Sequence, residues 1–330
     1  MNLYYLNYLK RIKHPIREEI KIFEKKLSNF FLSKKKFLII EKITNYIINR
    51  KGKLIRPMFV LLIAKMFSDG NNVNKKTYHI ACLIELIHIA TLVHDDVVDN
   101  SKFRRGSLSI NAIWKNKIAV LIGDYLLSKS FFLATKNNYF DILKVVCQTM
   151  KDITEGELLQ IEKSNDLNIT ENTYFYIIYK KTASLISASC ECGALSVGTN
   201  KENINKIRNF GVFSGIAFQI KDDLFDYEYS NKNTGKSVGI DFEEKKITLP
   251  LIYTFKKASK KDKKYIIYLI NKKKRYDIIN YVKKYNGLEY AKKKMMKYHY
   301  NALQILENYP DNNIKKSLKI MINFIVDRNR

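Results

Sequence analysis

The sequence predicts an all-α fold, and three observations carry that reading. Apolar residues recur at helical spacing along most of the chain. Strand-like alternation of apolar and polar residues is scarce. Only 12 Gly and 4 Pro interrupt 330 residues, too few for a turn-rich β architecture.

The elements follow in order. Ile16, Ile20, Phe23 and Leu27 repeat on one helix face. The stretch from Gly52 to Pro57 opens an apolar helix whose densest part, Phe59 to Phe67, is broken by Lys65. Thr77 to His94 is apolar almost all round, which marks a buried helix. Helical periodicity continues over 120–136, 142–159, 170–197, 204–229, 250–258, 261–271 and 288–309. Breaks fall at 69–72, 137–138, 198–200, 230–239 and 309–311, none long enough for an interdomain linker. The expectation is one domain over 1–330 with ten or more helices and no short internal repeat.

Composition narrows the class. Hydrophobic residues make up 46%, enough for a sizeable core. Four Cys in this length do not make a disulfide scaffold and fit a reducing compartment. The formal charge of +27 suggests nucleic acid at first sight. The excess is Lys, however, and it accompanies Asn, Ile, Tyr and Phe, residues with A/T-rich codons. The lysines are also spread along the chain, so a solvated surface shaped by codon bias is the better account. The N-terminus has no apolar core leading to a cleavage site, and no uncharged apolar run reaches the roughly 18 residues of a membrane span. A soluble, cytoplasmic protein is expected.

The chemistry concentrates in two acidic clusters. His94-Asp95-Asp96-Val97-Val98-Asp99 ends the apolar helix, and Asp222-Asp223-Leu224-Phe225-Asp226 repeats the pattern. In each, the first and last carboxylates (Asp95 with Asp99, Asp222 with Asp226) are four residues apart and share a helix face. Acids joined to apolar helices are costly unless a cation compensates them. Magnesium takes one or two carboxylates together with phosphate oxygens and water. Two pairs across a helical cavity would hold several ions around one diphosphate; capping or surface acids are the plainer alternative. Lys53 and Arg56 lie at a helix N-terminus suited to phosphate. Arg104 and Arg105 follow the first cluster and offer forked phosphate contacts. His88 lies two turns before Asp95, and Gln219 one turn before Asp222. Alone, these two read equally well as a satisfied core histidine and a helix-face amide. Cys190 and Cys192 lack a second ligand pair and read as small core residues.

Taken together the motifs resemble the trans-isoprenyl diphosphate synthases, or polyprenyl synthetases. The carrying residues are GKLIRP at 52–57, ELIHIATLVHDDVVD at 85–99, RRG at 104–106, GDYLL at 123–127, EGELLQ at 155–160, YKKTASL at 179–185, AFQIKDDLFDY at 217–227, GKSVGID at 235–241 and KITLPL at 246–251. The match runs from about residue 50 to 330; the helices of 1–50 match less well. Two departures stand out: Lys51-Gly52-Lys53-Leu54 replaces the family's Gly-Gly-Lys-Arg, and Lys245 replaces a glycine before Lys246. The ELIHIATLVHDDVVD block most resembles the bacterial octaprenyl enzymes.

The resemblance implies a single all-α domain of the isoprenoid-synthase type around a deep cavity, usually homodimeric. It implies a magnesium-dependent prenyltransferase with about three ions per site. Asp95, Asp99, Asp222 and Asp226 would bind metal. Lys53, Arg56, His88 and Arg105 would hold isopentenyl diphosphate. Arg104, Lys181, Thr182 and Gln219 would hold the allylic diphosphate, with Lys236 and Lys246 capping it. The chain would grow from Asp95 along the preceding helix, past Leu86 to Thr91, where Ala90 leaves room. Phe131, Phe132, Leu133 or Ala134 would set the floor. The implied product is an octaprenyl chain for a quinone side chain, with geranylgeranyl, heptaprenyl or nonaprenyl lengths as alternatives. Nucleic acid is not an expected partner, and membrane contact is at most peripheral. A class I terpene cyclase would not need Lys53, Arg56, His88 and Arg105, and a non-catalytic subunit would not keep both acidic clusters.

Overall fold

The computed structural model describes residues 3–31, 38–50, 52–68, 72–104, 106–164, 169–227 and 246–328. Lys236 and Arg105 lie outside the described residues. The helices are α1 Leu3–Lys13, α2 Arg17–Phe31, α3 Leu38–Ile48, α4 Ile55–Met66, α5 Lys75–Val98, α6 Ile110–Lys136, α7 Phe140–Lys163, α8 Glu171–Ile178, α9 Ser184–Ser196, α10 Lys201–Phe225, α11 Leu249–Lys257, α12 Lys260–Asn271, α13 Arg275–Lys284, α14 Gly287–Glu307 and α15 Asn313–Asp327. The only sheet among the described residues is a two-residue hairpin, β1 Phe103–Arg104 against β2 Ser107–Leu108, turning at Gly106 with φ 76°. The all-α expectation holds.

The chain divides into two compact units. Unit 1 comprises Met1–Cys147, Ala188–Arg208 and Pro310–Leu318, and unit 2 comprises Gln148–Ser187, Asn209–Tyr309 and Lys319–Arg330. In unit 1, α5 is the central element and packs on α2, α4 and α6. Its start is capped by Asn74, which accepts from the Thr77 amide at 2.9 Å. From Met58 to Ala64 every residue of α4 is fully buried. Lys65, the charge that breaks the apolar run, is met by buried Glu19 of α2. That pairing is what makes a cation tolerable there.

In unit 2, α10 approaches the chain around the start of α9 with almost no gap. A Cβ on Gly215 would stand 2.5 Å from the Ala183 Cα, and one on Gly211 would stand 2.5 Å from the Ser187 Cα. Only glycine permits that contact. The segment 170–197, expected as one helix, is α8, a π-turn over Tyr179–Ala183, and α9. Helical periodicity does not report the one extra residue of a π-turn, and such turns recur at functional sites.

Helix α6 starts ten residues earlier than its periodicity suggests, because Lys115 breaks it with φ 72° and ψ 160°. It is also long and apolar enough to cross a bilayer by length and composition. It packs on α5, and 39% of its most apolar stretch is buried.

Lys115 occupies backbone territory that glycine alone visits freely, at a cost of about 1–3 kcal/mol. Its side chain is exposed. Lys115→Gly should raise the urea midpoint, because the relieved strain exceeds the roughly 1 kcal/mol of freedom gained by the unfolded chain. An equal or lower midpoint sinks this account.

Candidate active site

Each unit carries one acidic cluster, and each cluster ends a helix. Asp95 and Asp96 lie in the last turn of α5, with Asp99 at its C-cap. Asp222 and Asp223 lie in the last turn of α10, with Asp226 just beyond. A helix C-terminus already carries negative partial charge, so it repels carboxylates. N-terminal capping is thereby excluded, and a positive charge beside each cluster is favoured.

In unit 1 the middle acid is compensated internally. Asp96 is 4% exposed, and the Arg104 Nε donates to its Oδ1 at 2.8 Å. Arg104, expected on the allylic diphosphate, is therefore held beside α5 by Asp96. Asp95 and Asp99 remain half-buried on the neighbouring face. The GDYLL motif explains how α6 fits this end of α5. A Cβ on Gly123 would stand 2.1 Å from His94 Nε2, and Asp124 pairs with the same nitrogen at 3.4 Å.

Arg56, in the first turn of α4, bonds through Nη1 to His88 Nε2 of α5 at 2.9 Å. A guanidinium has only donors, so Nε2 accepts and the ring proton sits on Nδ1. Two residues 32 apart in sequence are thus joined. Exposed Lys53 precedes them, and the next residue, Leu54, adopts the left-handed region with φ 57° before α4 begins. That turn starts α4 and so sets where Arg56 stands.

In unit 2 the π-turn presents Lys181 and Thr182. Thr182 Oγ1 donates to Gln219 Oε1 at 2.7 Å, Gln219 Nε2 donates to Asp223 Oδ1 at 2.8 Å, and the Tyr174 hydroxyl donates to Asp223 Oδ2 at 2.5 Å. Burial pushes the Asp223 carboxyl up to about 7, against those hydrogen bonds and with Asp222 and Asp226 adding repulsion. Lys181, Thr182, Gln219, Asp223 and Lys246 line one pocket with Tyr174. Four predicted contact residues therefore converge, and Tyr174 joins them unforeseen.

The EGELLQ motif supports the same turn. Gly156 leaves no room for a Cβ beside Lys180, which would lie 2.8 Å away. Lys180 is held by Asp152 at 2.7 Å and Glu155 at 2.6 Å, which raise its pKa above the usual lysine value. Glu157 pairs with Lys181.

Asp222 is half-exposed, with Arg328 Nη2 on its Oδ1 at 2.7 Å. The Arg328 guanidinium also stacks 3.9 Å from the Phe218 ring centre and donates to the Phe218 carbonyl. No motif or spacing in the sequence ties Arg328 to Asp222, 106 residues away. Asp226 is 5% exposed, so it is the least accessible of the four predicted metal ligands. Among the described residues no three His, Cys, Asp or Glu side chains form a closed metal cage. The donors present are carboxylate oxygens in pairs, a set that fits magnesium completed by phosphate oxygens and water.

The chain-length candidates are also placed. Ala90 is fully buried in α5. On α6, Leu133 and Ala134 are buried, Phe131 is half-buried, and Phe132 is 64% exposed on the surface of unit 1. All four cysteines are free, and burial pushes the Cys190 and Cys192 thiols upward, as for inert core residues.

The polyprenyl synthetase family model matches residues 38–285. The chain is 40% identical over 215 residues to an octaprenyl diphosphate synthase of Escherichia coli, covering 65% of this chain and 66% of that protein, just under two thirds of its length. It is 32% identical to a Rhodobacter capsulatus all-trans-nonaprenyl-diphosphate synthase, covering 89% of this chain and 90% of that one. Among solved structures, a Caulobacter crescentus polyprenyl synthase complexed with calcium and isoprenyl diphosphate superposes with a TM-score of 0.89 at 29% identity, covering 97% of this chain and 98% of the other. The chain belongs to the polyprenyl synthetase family.

Inorganic diphosphate with magnesium is expected to raise the thermal unfolding midpoint of the wild-type chain. Asp95→Ala and Asp222→Ala should each remove most of that shift, while Cys147→Ser, at an exposed position, should keep it. An unchanged shift in both aspartate variants would place the anion elsewhere.

Proposed function

We propose that the chain is a long-chain trans-polyprenyl diphosphate synthase that adds isopentenyl diphosphate repeatedly to an allylic primer such as farnesyl diphosphate. The observation that carries this reading is common to both clusters. In each, the second aspartate is buried and bonded inside its own unit, Asp96 to Arg104 and Asp223 to Gln219 and Tyr174, while the first stays half-exposed, Asp222 with one oxygen on Arg328. Accessible carboxylates at a helix C-terminus serve a cation, and a cation there serves a phosphate.

In this proposal Asp95, Asp99, Asp222 and Asp226 hold magnesium, which when bound supplies Lewis-acid stabilisation of charge on the leaving diphosphate. Lys181, Thr182, Gln219 and Lys246 orient the allylic diphosphate in the unit 2 pocket. Lys53, Arg56 and His88 hold isopentenyl diphosphate. Arg56 stays a cation, and His88 offers its Nδ1 proton as a second donor. The allylic C–O bond breaks and a C–C bond forms. The isopentenyl proton leaves with the departing diphosphate, so no nucleophilic side chain is needed.

Small Ala90 supports a long product. The relatives' names differ, octaprenyl for one and nonaprenyl for another, so we assign eight units on the likeness of residues 85–99. Exposed Leu121, Phe132 and Phe140 of unit 1 suit a homodimer contact. A Bacillus subtilis relative, 34% identical, is component 2 of a heptaprenyl diphosphate synthase, which makes a second subunit the alternative.

Purified protein given farnesyl and isopentenyl diphosphates with magnesium should yield products near forty carbons after dephosphorylation. A stop at fifteen or twenty carbons would falsify the long-chain assignment. Ala90→Phe should shorten the product while condensation continues; unchanged length would show that the wall lies elsewhere.

A further inference from the structure

The cations are less evenly spread than they first look. Residues 256–285 carry twelve Lys or Arg against two Asp, more than twice the chain's average density of basic residues, and eleven of the twelve are Lys. This segment includes the helices α12 and α13 of unit 2. They bury Ile266, Leu269 and Ile270 on one side, and Ile278, Ile279 and Val282 on the other.

What they leave outside is ordered. Lys261, Lys264, Tyr265 and Tyr268 stand at i, i+3, i+4 and i+7, so they form one face of α12, and all four are exposed. Tyr281 of α13 joins them. The Tyr265 ring centre lies 5.9 Å from that of Tyr268 and 5.8 Å from that of Tyr281. Lys284 sits 5.3 Å from the Tyr281 ring and bonds Asp262 at 2.8 Å, which neutralises one of the two acids. The result is a band of tyrosine rings bordered by ammonium groups.

We propose that this face docks on an anionic lipid surface. Tyrosine settles at the headgroup level, where its ring is sheltered and its hydroxyl stays wet. Lysine lays its stem along apolar surface and lifts its charge to the phosphates, and clustered lysines are drawn to anionic leaflets. Nucleic acid fits less well. Eleven of the twelve cations are Lys and lack the arginine fork that reads base edges. Docking does not depend on the proposed activity. If that reading holds, it would bring a synthase of apolar chains to the bilayer that takes them up.

The test is sedimentation of the purified full chain with vesicles of phosphatidylglycerol and phosphatidylcholine, or of phosphatidylcholine alone. Binding is expected only with the anionic vesicles and should fall as salt rises. Lys261→Glu with Lys264→Glu should weaken it roughly tenfold or more, and Tyr265→Ser with Tyr268→Ser should weaken it as well. Lys42→Glu with Lys201→Glu makes the same change in net charge at exposed sites off this face and should preserve binding. Urea midpoints near wild type would show that the variants fold. No binding to anionic vesicles at low salt overturns the proposal, as does equal loss in the control pair. Preferential binding of single-stranded DNA through the same residues would replace lipid by nucleic acid. Condensation by the patch variants, assayed with short soluble substrates, should stay at the wild-type rate; its absence in every form of the chain would count against the proposed activity alone.

Discussion

Carboxylates at the C-terminal ends of apolar helices are the constraint from which the rest of this molecule follows. The peptide dipoles of α5 and α10 end in negative partial charge, and aspartates are added to that charge. Burial deepens the cost, as the rise of the Asp223 carboxyl to about 7 records. Each unit offsets part of it with its own groups, Arg104 in unit 1 and Arg328, Tyr174 and Gln219 in unit 2. The carboxylate oxygens that remain accessible, on Asp95 and Asp99 and in part on Asp222, are the ones the proposed function uses.

The supporting motifs make sense as consequences. Gly123 and Asp124 exist for His94, which would otherwise clash with α6. Gly156 makes room for Lys180, while Glu155 and Glu157 take Lys180 and Lys181. Gly215 brings α10 against the π-turn and Gly211 brings it against the first turn of α9, beside the Thr182–Gln219 bond. Sub-van-der-Waals clearances of this kind are why small residues recur beside the charged ones. The Lys-rich surface follows a different logic. Most of its charge needs no partner, yet at α12 and α13 the same residue type is interleaved with stacked tyrosines into a patterned face.

The fold class, the two acidic clusters and their basic companions are legible along the chain alone. Those features are local: a 3.6-residue period, an i to i+4 spacing and a fixed run of motifs need no third dimension. Folding brings the partners of the aspartates together, Arg104 to Asp96 and Gln219 with Tyr174 to Asp223. It also decided that Phe132 faces outward and that Arg328 reaches Asp222. It broke 170–197 at a π-turn and α6 at Lys115. These outcomes depend on side chains distant in sequence competing for one buried charge or one gap in packing, and no period along the chain records such a competition.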